Sequence, residues 1–425
     1  MKLLSETEHE LAGITLHTID TDKYKTNTIV LKLKAPLEEA TLTERALLPY
    51  VLQKRTKSYP TTIELRGYLD ELYGATLNVD LMKKGEYHVI TIRMDIANET
   101  FLEDKTPLLL KAIELLSEMV MSPVTENDGF SPSTLDNEKR NLKQRIQAVY
   151  DDKMRYSNLR LVQEMCKDEP YALHVNGRIE DIEKITPASL YQYYQKVLAE
   201  DEIDLYIVGK FDENSVVEYV SKNFVLKERE PKKVDKISPV ISEVNKVIEK
   251  QDVKQGKLNI GFRTNITYSD PDYLALQVFN GIYGGFSHSK LFLNVREKES
   301  LAYYAASRVE SHKGLLMVMS GIEFNNFDKA VTIINEQMEA MKNGEFTEDV
   351  ISQTKAVINN QLLETIDTPS GMIDILYHNV VADKKRDLTE WLEGLKQVTK
   401  DEIIQVAEKI KLDTIYFLTG MEADN

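Results

Sequence analysis

Among 425 residues the sequence carries one cysteine, Cys166, and one tryptophan. A single thiol excludes an internal disulfide and suggests a reducing compartment. Glycine and proline are sparse at 18 and 12, which excludes a collagenous or wholly disordered chain. Basic charge is also in deficit: 53 Lys+Arg stand against 69 Asp+Glu, a formal net charge of −16. Such a charge repels phosphate backbones, so nucleic acid is not expected as a partner of the whole molecule. Long hydrophobic runs are missing too. The cluster Leu315-Leu316-Met317-Val318-Met319 falls far short of the ~20 residues that span a bilayer. The amino terminus, Met1-Lys2-Leu3-Leu4-Ser5-Glu6, turns acidic before the apolar region of a signal peptide could form. A cytoplasmic protein with no membrane span is expected.

What is present is ordinary globular composition, 42% hydrophobic and 29% charged. At ~150 residues per domain the length implies two or three domains. Alternation predicts strands at Thr28–Leu33 and His88–Met94, and a buried strand at Ile203–Gly209. Helical spacing appears at Leu108–Met121, Leu135–Val149 and Pro187–Leu198. The last has Thr186 as N-cap and Pro187 suited to the first turn. A further helix is predicted near Ser215–Phe224. After it, the charged stretch Lys227–Lys236, with one proline, reads as an exposed linker that divides the chain almost in half.

The halves match at a shift of 229 residues, which places Ile29–Leu33 on Leu258–Phe262. The same shift places Asp70-Glu71-Leu72 on Glu299-Ser300-Leu301 and Lys84-Gly85 on Lys313-Gly314. At the end it shrinks to 211, with Gly209 on Gly420. A duplicated unit of about 200 residues follows. Each unit runs strand, helices, hairpin, helices, strand, which gives an α+β class with an antiparallel sheet covered by helices. The expected division is 1–225, a linker at 226–240, and 241–425.

Three motif blocks carry a family resemblance. The first is Glu169-Pro170-Tyr171-Ala172-Leu173-His174-Val175-Asn176-Gly177, followed by Ile182–Thr186 and Leu190–Tyr194. The second is Gly284-Gly285-Phe286-Ser287-His288-Ser289-Lys290-Leu291-Phe292. The third is Arg296-Glu297-Lys298-Glu299-Ser300-Leu301-Ala302-Tyr303. In this order they resemble the pitrilysin/insulinase-type zinc metallopeptidases, whose zinc helix bears H-x-x-E-H. The resemblance implies two tandem α/β-roll halves facing each other as a clamshell.

The chemistry departs from that family at its centre. The zinc helix corresponds to Arg45-Ala46-Leu47-Leu48-Pro49-Tyr50-Val51. Ala46 and Tyr50 stand at the two histidine positions, and Pro49 replaces the general-base glutamate. The third ligand position falls on Arg145, or on Gln144 if slipped by one. Catalytic zinc needs three protein ligands and an open fourth position. Alanine offers no donor atom, and arginine is a fixed positive charge that repels a dication. No two of the seven histidines stand three or four residues apart, so local spacing supplies no substitute. No zinc is expected in this chain.

The resemblance implies that Arg296 and Tyr303 act as substrate-binding donors. In the family the matching pair holds the substrate carbonyl beside zinc, chemistry that a guanidinium and a phenol suit. Read from the residues alone, Arg296 pairs with Glu297 or Glu299 and Tyr303 packs in a sheet. His174 and His288 read as loop histidines and Cys166 as a packed thiol on a helix. Asp151-Asp152 and Glu228/Glu230 read as solvated faces. The resulting expectation is a non-catalytic, peptide-binding subunit whose partner is a zinc-bearing paralogue with intact H-x-x-E-H. The alternative is a catalytically dead scaffold or peptide-binding homodimer of the same fold.

Overall fold

The computed structural model describes residues 5–234, 239 and 241–421. Asp235 and Lys236 of the expected linker lie outside them, as do the first four residues of the amino-terminal segment. By contacts the chain divides into two compact units. One comprises Met1–Ala148 and Leu173–Asp235, the other Val149–Ala172 and Lys236–Asn425.

The first unit holds a six-stranded sheet built from β1 (Thr7–Leu11), β2 (Ile14–Asp20), β3 (Thr26–Pro36), β4 (Thr76–Lys84), β5 (Tyr87–Ala97) and β6 (Glu202–Gly209). Their order is β1-β2-β6-β3-β5-β4, and only β2 and β6 run parallel. The second unit has β7 (Asn245–Gln251), β8 (Gly256–Arg263), β9 (Ala302–Glu310), β10 (Leu315–Ile322) and β11 (Lys411–Gly420). The order is β7-β11-β8-β10-β9, with β7 and β11 parallel. From β2 onward the two orders are the same, so the duplication seen as a sequence shift is a duplication of topology. Lys84-Gly85 and Lys313-Gly314 lie at the turns of equivalent hairpins, each glycine at positive φ (56° and 71°).

Alternate residues of each sheet face a helical layer. In the first unit Ile29, Leu31, Ile92, Met94, Leu205 and Ile207 are buried in one apolar cluster. They pack with helices α1 (Leu42–Leu52), α2 (Leu108–Met121), α3 (Pro132–Asp151) and, after the excursion below, α5 (Pro187–Glu200). Thr186 caps α5 as the sequence predicts, its hydroxyl accepting from Ser189 N–H. The second unit repeats the plan with Leu258, Ile260, Phe262, Leu316, Val318 and Phe417.

The division departs from a single cut in the linker because residues 149–172 belong with the second sheet. Their helix α4 (Lys153–Met165) buries Leu161 and Met165 against Leu315, Met317, Tyr416 and Leu418. The β10 strand is thereby covered on both faces, which explains why Leu315–Met319 is continuously apolar and not alternating. Gly261 leaves the room this packing needs, since a Cβ there would stand 2.5 Å from Met165 Sδ. Cys166 is buried as expected, but it follows the helix as its C-cap.

Candidate functional site

Helix α1 occupies the place of the zinc helix, and nine of its eleven residues are buried. It continues through Pro49 and ends within one turn. Pro49 offers no N–H, while its own carbonyl accepts from Gln53 N–H at 3.1 Å. The helix is anchored by Arg45. This guanidinium forms a 2.7 Å ion pair with Asp201 and donates to the carbonyls of Leu33 (2.8 Å) and His88 (3.0 Å). Burial opposes its charge, but Asp201 and Tyr193 outweigh it and hold the proton more tightly than in water.

The next residue, Ala46, lies fully buried in the apolar core. Tyr50, a turn further along the same face, meets Arg145 from α3: the guanidinium lies 3.6 Å from the ring centroid. Tyr50 and Arg145, two of the positions that the resemblance assigns to zinc ligands, are thus neighbours in space. Neither can hold a dication here. Burial holds the Arg145 guanidinium below its ordinary range, with Tyr50 and Glu138 acting the other way. Burial also pushes the Tyr50 phenol up, opposed by Arg145. Arg145 Nε and Nη2 are buried and have no hydrogen-bond acceptor among the described residues. Glu138, whose charge acts on Arg145, is engaged elsewhere: its Oε1 takes Lys54 Nζ at 3.1 Å and Asn141 Nδ2 at 3.0 Å.

Arg296 and Tyr303 lie in the second unit. Arg296 sits on a wide helical segment, Phe292–Lys298, stacked at 4.6 Å over the Phe292 ring and 3.7 Å from Glu297 Oε1. Tyr303 is on the edge strand β9 and is 67% exposed, so it is not packed in the sheet as its residue type alone suggests. Its hydroxyl donates to Glu323 at 3.3 Å.

The loop histidines are structural in their contacts. His174 is largely buried; burial, with Lys83 adding, pushes it down to about 4. His288 Nε2 lies 2.9 Å from Thr354 Oγ1. Local spacing missed two pairings that the fold creates. His312 Nε2 and His378 Nδ1 stand 2.6 Å apart. His17 lies between Glu6 (2.8 Å) and Asp204 (3.1 Å) and stacks on Tyr206. Glu6, Glu8 and His17 place three potential metal donors within 4.8 Å of one another. Burial opposes the His17 proton, yet Asp204 and Glu6 raise it to about 9, so a proton occupies the place a metal would need.

A duplicated α+β fold, two sheets each covered by helices, defines the class. Residues 184–358, which run from the end of the first unit into the second, match the family described as "Peptidase M16 inactive domain". Over 428 residues the chain is 56% identical to the "Probable inactive metalloprotease YmfF" of Bacillus subtilis (strain 168), covering 99% of each. A solved structure of a conserved protein from Enterococcus faecalis V583 superposes with a TM-score of 0.92 at 34% identity, covering 99% of both chains. The beta subunit of the mitochondrial-processing peptidase of Saccharomyces cerevisiae is 24% identical over 319 residues, 70% of this chain and 67% of its own length. The chain belongs to the M16, pitrilysin/insulinase-type metallopeptidase family. Within it, it is an inactive homologue, and the chain accordingly carries no catalytic zinc. Among the described residues no helix is long and apolar enough to cross a membrane.

Proposed function

We propose that this inactive M16-type homologue is the substrate-binding, non-catalytic subunit of a two-chain zinc peptidase that acts on peptides. A paralogue bearing H-x-x-E-H supplies the metal, and Arg296 and Tyr303 of this chain supply donors to the peptide carbonyl beside it. The observation that carries the reading is an asymmetry. The zinc positions of the first unit are filled by residues that cannot bind metal, while the donor pair of the second unit is retained and exposed. Tyr303 is 67% exposed, and the Arg296 side chain is 44% exposed with one long contact to a carboxylate. A surface ion pair of that kind is worth ~0–1 kcal/mol and gives little structural reason to keep the pair. The similarity to a protein named as a peptidase subunit is a second support. A cytoplasmic setting belongs to the reading, motivated by the single cysteine.

The test is reconstitution with the zinc-bearing paralogue. Arg296→Ala or Tyr303→Phe is expected to lower kcat of the assembled pair about 10²–10³-fold, the cost of one oxyanion donor. Assembly, followed by size-exclusion chromatography, is expected to be unchanged. Full turnover in both variants, or no assembly with such a paralogue, overturns the proposal in favour of a scaffold.

A further inference from the structure

The strip of α3 beside the lost zinc site has the wrong charge for its surroundings. In a chain of net charge −16, the nine residues Asn137–Arg145 contain four basic side chains and one acidic. Glu138, Asn141 and Arg145 recur at helical spacing and share one face. Next to them opens a cavity of about 470 Å³ lined by Lys54, Thr62, Asn137, Arg140, Asn141 and Gln144, among others. Apart from Glu138, the charged groups in that lining are cations, and the amides and hydroxyls add donors. Glu138 is already neutralised by Lys54.

Arg145 continues this strip. The Tyr50 ring fixes the plane of its guanidinium, and Nε and Nη2, which form one edge of the planar fork, find no acceptor among the described residues. That edge is the one a carboxylate takes with two parallel hydrogen bonds. Buried donors without acceptors are rare in folded proteins and call for a reason. The side chain as a whole is partly buried, and Nε and Nη2 themselves are closed to solvent.

We infer that the Lys54–Asn141–Arg145 strip binds a carboxylate of a peptide, so that a carboxylate-recognising cation stands where active relatives place zinc. The inference deepens the reading of the chain as a peptide-binding subunit and rests on it. It names the substrate class as peptides that present a carboxylate, either a C-terminus or an acidic side chain. Guanidinium and ammonium groups recognise both by the same chemistry.

The experiment uses this chain alone, without a catalytic partner. A fluorescently labelled, alanine-rich hexapeptide is prepared with a free C-terminal carboxylate, as its C-terminal amide, and as amides with an internal Glu or Gln. Binding is followed by anisotropy at low salt. Either the free acid or the Glu peptide is expected to bind at least tenfold more tightly than its neutral counterpart, and the stronger of the two identifies the source. Arg145→Gln is expected to abolish that difference. Arg145→Lys, which keeps the charge and loses the fork, is expected to keep only part of it. Lys54→Gln serves as a second variant, with circular dichroism confirming that each folds. Equal affinity for acid and neutral peptides, no measurable binding of any, or a preference that survives Arg145→Gln overturns the inference. Binding is read on this chain alone and turnover on the reconstituted pair, so the two proposals fail separately. Carboxylate preference without turnover of an assembled pair leaves this site standing on a scaffold.

Discussion

The Arg145 guanidinium rests 3.6 Å above the Tyr50 ring. The stack is favourable in itself, since the negative ring face attracts the guanidinium's positive charge.

This arrangement is expected to respond asymmetrically to mutation. Tyr50→Leu removes the ring but leaves the partly buried charge, and is expected to cost about 1–2 kcal/mol. Arg145→Met removes the charge together with its unsatisfied donors, and is expected to be neutral or slightly stabilising. Urea unfolding of both variants checks the difference. A larger loss for Arg145→Met than for Tyr50→Leu would contradict it.

The first unit is expected to have opposing pH limbs set by two histidines. His17 is held at about 9, against 6.5 in an unfolded chain, because Asp204 and Glu6 outweigh its burial. Between those values the folded state binds the extra proton. Its contribution is therefore complete below about pH 6.5 and is lost as pH rises through 9. His174 is held at about 4 by burial and by Lys83. There the unfolded state binds the extra proton, so stability is lost as pH falls from about 6.5 towards 4. Unfolding free energies measured at pH 5, 7 and 9 are expected to peak near neutrality. His17→Gln should flatten the alkaline limb and leave the acid limb in place.

A buried ionic cluster fixes residues 149–172 to the second sheet. Glu169 receives Arg263 Nη2 at 2.6 Å and Lys313 Nζ at 2.5 Å, while Arg263 also pairs with Asp413 at 2.9 Å. Glu169→Gln leaves two buried cations short of a counter-charge and is expected to cost about 3 kcal/mol, at the lower end for a broken buried pair because Asp413 remains. The double change Glu169→Leu with Arg263→Met should recover part of that loss. Chemical denaturation of the single and double variants measures both.

Much of this protein is legible from its residues alone. The duplication, the strands at Thr28–Leu33 and Ile203–Gly209, and the Thr186-capped helix follow from periodicity and capping, which are local properties of the chain. The expectation of no catalytic zinc is equally legible, because a ligand is an atom and Ala46 has none to give. Other features were decided only by the tertiary structure. The assignment of residues 149–172 to the second sheet depends on which apolar surface the Leu161–Met165 stripe finds, and a stripe carries a period but no address. The His312–His378 contact, the His17 charge cluster and the exposure of Tyr303 on an edge strand are likewise set by strand order and helix placement. A sequence fixes what each side chain can donate, accept or bury. Which group it meets depends on long-range pairings, and only folding brings those together.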